Sequence, residues 1–247
     1  MTTAYGRVRR ADGSALYGRA DGAVGADRAG LSGSFVTFEG PEGSGKSTQI
    51  ERLAASLGAL GHDVLATREP GGTLVGESVR ELLLDATCGD LEPVTELLLF
   101  CAARAQLVRQ VVAPALTAGR LVLCDRYMDA TMAYQGYGRG VDKDWIDVLN
   151  RAVVGPFVPD LTVLLDLPVE EGLARRRATT WNRLDAAGEE FHRRVRQGYL
   201  TMARSEPGRW VVVAADAAPD QVAQRILDAV QAVIRPASTS GPDSSDG

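Results

Sequence analysis

The stretch SFVTFEGPEGSGKST, residues 34–48, constrains the fold of this chain more than any other part of it. A short β-rich run leads directly into G-x-x-x-x-G-K-S, with Gly40, Gly45, Lys46 and Ser47 at the defining positions. A helical pattern follows. A glycine-rich loop between a strand and a helix turns its backbone N–H groups inward around an anion. Lys46 then reaches the β and γ oxygens of a nucleotide, and Ser47 is an oxygen ligand for Mg²⁺. Gly40, Pro41, Glu42, Gly43, Ser44, Gly45, Lys46, Ser47 and Thr48 form the candidate ATP-binding loop.

The remaining chain suits such a loop. Continuous apolar runs occur at 34–39, 63–67, 121–125, 161–167 and 209–214. Helical patterns separate them, at about 46–60, 74–87, 93–118, 142–153, 169–177, 189–205 and 219–234. Runs without alternation are those of strands covered on both faces, and strand–helix alternation implies right-handed crossovers. The expected class is α/β, a three-layer fold with a five-stranded parallel sheet. Ligands of such sheets bind beyond the carboxyl ends of the strands. No internal repeat of 20–50 residues is visible. Residues 1–33 are rich in Gly, Ala, Arg and Asp without an apolar period, so they are expected to be a disordered extension before a domain at 34–235. The tail, 236–247, is expected to be disordered as well.

Composition narrows the partners. A net charge of −5 argues against a nucleic-acid binder, and no apolar run approaches the roughly 20 residues of a membrane span. No secretory h-region opens the chain. Cys88, Cys101 and Cys124 form no CxxC pair, which points to reduced thiols and a cytoplasmic location, and only two histidines argue against a His-based zinc site.

The class of phosphate-loop protein follows from what accompanies the loop. A GTPase needs D-x-x-G after a strand and N-K-x-D for its base; here the strand-end acids continue as DRYM and DLPV, and N-K-x-D is absent. A small nucleotide kinase needs arginines for a second phosphate and a segment that excludes water. Lys46 and Lys143 are the only lysines, so the basic side chains are almost all arginine.

Four stretches together closely resemble bacterial thymidylate kinase: FVTFEGPEGSGKST, TREPGGT (67–73), LVLCDRYMDATMAYQGYGRG (121–140) and NRLD (182–185). The resemblance runs from about Ser34 to Ile234. It implies a P-loop kinase fold, transfer of the ATP γ-phosphoryl group to dTMP to give dTDP, Mg²⁺ as cofactor, and a homodimer. Glu42, an acid in a phosphate loop, would then point across the cleft and accept from the 3′-hydroxyl of dTMP. Arg126, at the end of a strand, can grip the acceptor phosphate bidentately, and Arg68 resembles a second phosphate contact. Asp125 would reach Mg²⁺ together with Ser47, with Asp166 a weaker candidate; a structural ion pair competes for Asp125.

Phe100 and Arg104 stand four apart on one helix face. The resemblance implies that Phe100 stacks on thymine and Arg104 donates to a base carbonyl, although an aromatic at that spacing is also what plain core looks like. Arg80, Thr131 and Gln135 match further pocket positions. Ala130 departs from the family, many of whose members carry serine there. The segment 175–190, RRRATTWNRLDAAGEE, reads as a lid, centred on about 176–189. The loop GPEGSGKS carries no catalytic arginine, so the lid supplies it, and Arg183 is the matched position; Arg175, Arg176 and Arg177 are either functional or solvated. The reading is an ATP- and Mg²⁺-dependent dTMP kinase of the lid-arginine type, catalytic through Lys46, Arg126, Arg183 and Asp125. Its rivals are a kinase for a modified deoxypyrimidine monophosphate and a nucleotide-binding regulator without catalysis.

Overall fold

A computed structural model describes residues 31–89, 91–177 and 181–234. Most of the expected N-terminal extension, the expected tail and residues 178–180 of the expected lid lie outside these. Residues 31–33, expected in the extension, are part of the packed chain. Leu31 lies against the core, and Gly33 N donates to Leu116 O at 2.9 Å. Only glycine fits there, since a Cβ would come within 2.3 Å of Arg120 O.

Five strands form one parallel sheet: β1 (Ser34–Glu39), β2 (Val64–Arg68), β3 (Leu121–Asp125), β4 (Leu161–Asp166) and β5 (Trp210–Ala214). Their order is β2-β3-β1-β4-β5. The chain leaves β1 towards the β2 edge and leaves β4 towards the β5 edge. The crevice therefore opens above the central strand, where the phosphate loop begins. Successive β1 residues serve opposite faces. Val36 and Phe38 pack with Ile50, Leu53 and Leu57 of α1 (Lys46–Ala59) and with Val222, Ile226 and Val230 of α9 (Pro219–Gln231). Phe35 packs on the other side with Leu107, Val108, Val112 and Leu116. Burial on both faces is why the strands read as unbroken apolar runs.

Between β2 and β3 lie α2 (Leu74–Leu84), α3 (Pro93–Leu107), a π-helical turn (Val108–Val112) and α4 (Ala113–Thr117). The run Pro93–Thr117 is long and apolar enough, by length and composition, to cross a membrane. Here it is a core helix, with Leu97, Arg104, Leu107, Val112 and Leu116 buried. Its acid and arginines interrupt what would otherwise be a continuous apolar run.

After β3 the chain forms α5 (Met128–Thr131) and a π-helical turn (Met132–Gly138), where no helix was expected. Gly136 and Gly138 hide the helical pattern in the sequence, yet packing demands them. A Cβ on Gly138 would lie 2.5 Å from the Phe191 ring. Then come α6 (Lys143–Val154), α7 (Val169–Arg177) after β4, and α8 (Glu189–Ser205) before β5.

Candidate active site

Helix α1 begins unlike its neighbours. Helices α2, α3, α6, α7, α8 and α9 each carry an acid in the first turn. Helix α1 has none, and its N-cap, Gly45, supplies no capping side chain. Its first N–H groups and its dipole thus stay uncompensated, which favours an anion. The loop before it is held by glycine contacts: a Cβ on Gly43 would lie 2.2 Å from Gly172 O, and one on Gly172 would lie 2.3 Å from Glu42 O. This close approach seats α7 directly on the loop.

Lys46 folds back into the loop, and Nζ donates to Gly40 O (3.2 Å), Pro41 O (3.0 Å) and Ser44 Oγ (3.3 Å). Burial, and then Arg126, lower its ammonium to about 8 against the pull of Glu42, Asp125 and Glu39. Ser47 Oγ donates to Asp125 Oδ2 at 2.8 Å. Two hard oxygens so placed suit Mg²⁺. Asp166, the weaker candidate, is taken up by Arg196 at 2.7 and 2.8 Å.

Two cavities meet above the sheet. The larger, about 400 Å³, is lined by Gly43, Gly45, Lys46, Ser47, Thr48, Arg68, Asp125 and Arg175, among others. The smaller, about 80 Å³, is lined by Phe100, Ala130, Thr131, Tyr134, Gln135, Asn182 and Leu184, among others. Glu42, Glu69, Arg80, Arg126 and Arg176 line both. They form the boundary between an anion-binding compartment and a second, largely organic one.

Arg126 is the hub of that boundary. Its φ is +67°, left-handed for a residue with a side chain, a conformation that costs about 1–3 kcal/mol. The backbone bonds Arg126 N→Phe38 O (2.9 Å) and Tyr127 N→Glu39 Oε1 (2.8 Å) hold it. Nη1 donates to Gly40 O (3.0 Å) and Tyr199 Oη (3.1 Å), and Nη2 donates to Glu42 Oε1 (2.7 Å). Tyr134 also donates to Glu42 Oε1, at 2.8 Å, and its ring lies 4.9 Å from the guanidinium carbon. Burial pushes the Glu42 carboxyl up, but Arg126, Lys46 and the Tyr134 hydroxyl outweigh it and hold it at about 2. Glu42 therefore stays charged and turns towards Arg126.

Phe100, Thr131 and Gln135 line the smaller cavity as a group. Arg104 does not: it lies behind the wall, fully buried. It donates to Glu69 Oε2 (2.7 Å), Asn150 Oδ1 (2.8 Å), Tyr127 O (3.1 Å) and Thr131 Oγ1 (2.7 Å). Four of its five N–H donors are engaged within the protein, and it fixes Thr131 on the cavity wall. Arg80 donates to Pro70 O at 2.9 Å and reaches both cavities. Arg68 lines the larger cavity and is paired with Glu77 at 3.0 Å.

The expected lid arginine is held by protein partners. Arg183 turns away from the phosphate loop: Nη2 donates to Glu96 Oε2 at 2.6 Å and Nε to Leu83 O at 3.0 Å. Glu96 is wholly buried and also accepts from Gln135 (2.7 Å) and Arg139 (3.3 Å), so it captures Arg183 firmly. Arg176 lines both cavities instead, with Nε 3.2 Å from both oxygens of Asp185. The seating of Gly172 on Gly43 brings this turn of α7 to the cleft.

Tyr134 and Glu69 line the cavities although sequence reasoning did not single them out, and Arg176 does so although it was weighed only alongside Arg175 and Arg177. Tyr134 stands three residues after Thr131 and one before Gln135, on the helix concealed by Gly136 and Gly138. Glu69 follows Arg68 in TREPGGT, where an acid reads as solvated, yet it is buried against Arg104. Nothing local separates Arg176 from the arginines on either side of it.

The family model described as thymidylate kinase matches residues 38–226. A protein of Thermomicrobium roseum named thymidylate kinase is 53% identical over 203 residues, covering 81% of this chain and 96% of that protein. One of Trichlorobacter lovleyi, also named thymidylate kinase, is 52% identical over 203 residues, covering 79% and 96%. The crystal structure of thymidylate kinase from Ehrlichia chaffeensis superposes with a TM-score of 0.67 at 37% identity, covering 81% of this chain and 99% of that one. With the phosphate loop, the strand order and the paired cavities in place, these likenesses make the assignment plain: the chain belongs to the thymidylate kinase family.

Proposed function

We propose that this protein transfers the γ-phosphoryl group of ATP to dTMP, giving dTDP. The observation that carries the reading is the pair of cavities with a common boundary of Glu42, Glu69, Arg80, Arg126 and Arg176. A phosphoryl group crossing between two anions needs such a boundary, rich in arginine.

In this reading the loop from Gly40 to Thr48 binds ATP, with Lys46 on the β and γ oxygens. Ser47 and Asp125 would hold Mg²⁺, which would supply charge neutralisation for the phosphates. Arg126, supported by Arg68 and Arg80 around the cleft, binds the acceptor phosphate. Phe100 stacks on thymine while Thr131 and Gln135 contact its edge. Arg176 takes the lid-arginine role. Catalysis is positioning plus electrostatics, without a covalent intermediate.

A coupled ADP-release assay across dTMP, dUMP, dCMP and dGMP tests the reading. Turnover with dTMP should exceed that with each of the others by about tenfold or more, the scale on which a pocket separates close analogues. No turnover with dTMP would overturn it.

Glu42 offers a sharper check. Its Oε1 serves Arg126 and Tyr134, so Oε2 is the oxygen for the acceptor 3′-hydroxyl. Glu42→Gln should lower kcat/KM for dTMP about ten- to a hundredfold, the worth of a hydrogen bond to a charged group. ATP affinity should hardly change. The wild type should discriminate against 3′-deoxy-dTMP and the variant should lose much of that discrimination. Equal discrimination by both would remove the assignment.

The protein would work as a cytoplasmic homodimer. Its three cysteines are free thiols. Leu82 of α2, Val94 and Leu98 of α3 and Val148 of α6 are exposed apolar side chains on helices that pack side by side, as an association face requires.

A further inference from the structure

We propose that Tyr199 and Glu39 are positioning residues that aim Arg126 at the acceptor phosphate. The premise is the acceptor-binding role of Arg126 given above. Glu39 is the last residue of β1, directly before the loop glycine Gly40, and it is wholly buried. One of its oxygens accepts from Tyr127 N at 2.8 Å, next to the left-handed turn at Arg126. The other accepts from Tyr199 Oη at 2.7 Å. Tyr199, on α8, in turn accepts from Arg126 Nη1 at 3.1 Å. A single carboxyl thus closes a ring around Arg126, gripping its backbone on one side and its guanidinium on the other.

The ring determines which edge of the guanidinium is offered. Gly40 O and Tyr199 Oη occupy Nη1, and Glu42 takes one proton of Nη2. Among the described residues Nε has no hydrogen-bond acceptor, and with a proton of Nη2 it can make the side-on fork that grips an oxyanion through two parallel bonds. Burial raises the Tyr199 hydroxyl well above its ordinary range, so the phenol stays neutral at working pH. The Tyr199 ring packs edge-on to Tyr134, with centroids 6.4 Å apart, and tilted against Trp210 at 6.5 Å. That packing needs the ring alone. The hydroxyl is needed only for Glu39 and Arg126.

Tyr199→Phe separates the two roles, because it keeps the ring and removes the hydroxyl. We expect kcat/KM for dTMP to fall about ten- to a hundredfold, the scale of a lost hydrogen bond to a charged group. KM for ATP and Tm should stay close to the wild-type values. On an Arg126→Lys background, which has no side-on fork, the same substitution should cost little more, since residues acting through one another are not additive. Equal kcat/KM for dTMP in wild type and Tyr199→Phe would overturn the inference. So would parallel losses for ATP and dTMP, or full additivity with Arg126→Lys. Should Tyr199→Phe not fold, Glu39→Gln is read by the same split between dTMP and ATP. A wild type without dTMP turnover would bring down the proposed function and this inference together; an active wild type matched by Tyr199→Phe would bring down the inference alone.

Discussion

Arg176→Ala should lose about 10³-fold or more in kcat, whereas Arg183→Ala should stay within about tenfold of the wild type; the larger figure is the scale of an arginine finger in phosphoryl transfer. Arg176 lines both cavities, so its guanidinium can meet charge that develops on the group in flight. Arg183 has a different task. It fastens residues 182–184 to the carbonyl end of α2 and to Glu96, and Asn182 and Leu184 then line the smaller cavity. Removing it leaves the buried Glu96 with Arg139 as its single cationic partner among the described residues. Breaking a buried ion pair costs about 3–5 kcal/mol, so Arg183→Ala should lower Tm by several degrees and raise KM for dTMP. Single-turnover kinetics with thermal melts on both variants separate the roles. A 10³-fold loss of kcat in Arg183→Ala at unchanged Tm would return the catalytic role to Arg183.

Lys46→Ala is the second large effect: kcat should fall by about 10²–10³-fold, as for loss of a preorganised electrostatic donor, and ATP affinity should fall with it. The two go together because Nζ is already in place within the loop, held by Gly40 O, Pro41 O and Ser44 Oγ. It therefore meets the phosphates in the ground state as well as in the transition state, and uniform binding appears in KM as well as kcat. Arg176→Ala, acting mainly as charge migrates, should leave ATP affinity nearly intact. Equilibrium titration of ATP against both variants checks the contrast. An unchanged affinity in Lys46→Ala would mean that the ammonium does not touch the bound triphosphate.

Much of this protein is written locally in its sequence. The strands were legible because both faces of a parallel sheet are buried, which leaves unbroken apolar runs. The phosphate loop was legible because its glycines, Lys46 and Ser47 act within a few residues of one another. Phe100, Thr131 and Gln135 followed from spacing and resemblance, and all three line one cavity. Where an arginine points is another matter. The expectation for Arg104 was a base; its direction is set by Glu69, Asn150 and Thr131, from three other segments. Arg183 was expected on the phosphates, but Glu96, 87 positions away, holds it elsewhere. The fork of Arg126 is aimed by Tyr199, 73 positions further along the chain. A long, flexible cation has many rotamers of similar intrinsic energy, and a buried carboxylate or hydroxyl chooses among them. Backbone pattern and loop chemistry are properties of neighbouring residues, so the sequence alone determined the sheet and the nucleotide loop. The choice of partner for each arginine is made across the sheet and between helices, and only the tertiary structure decided it.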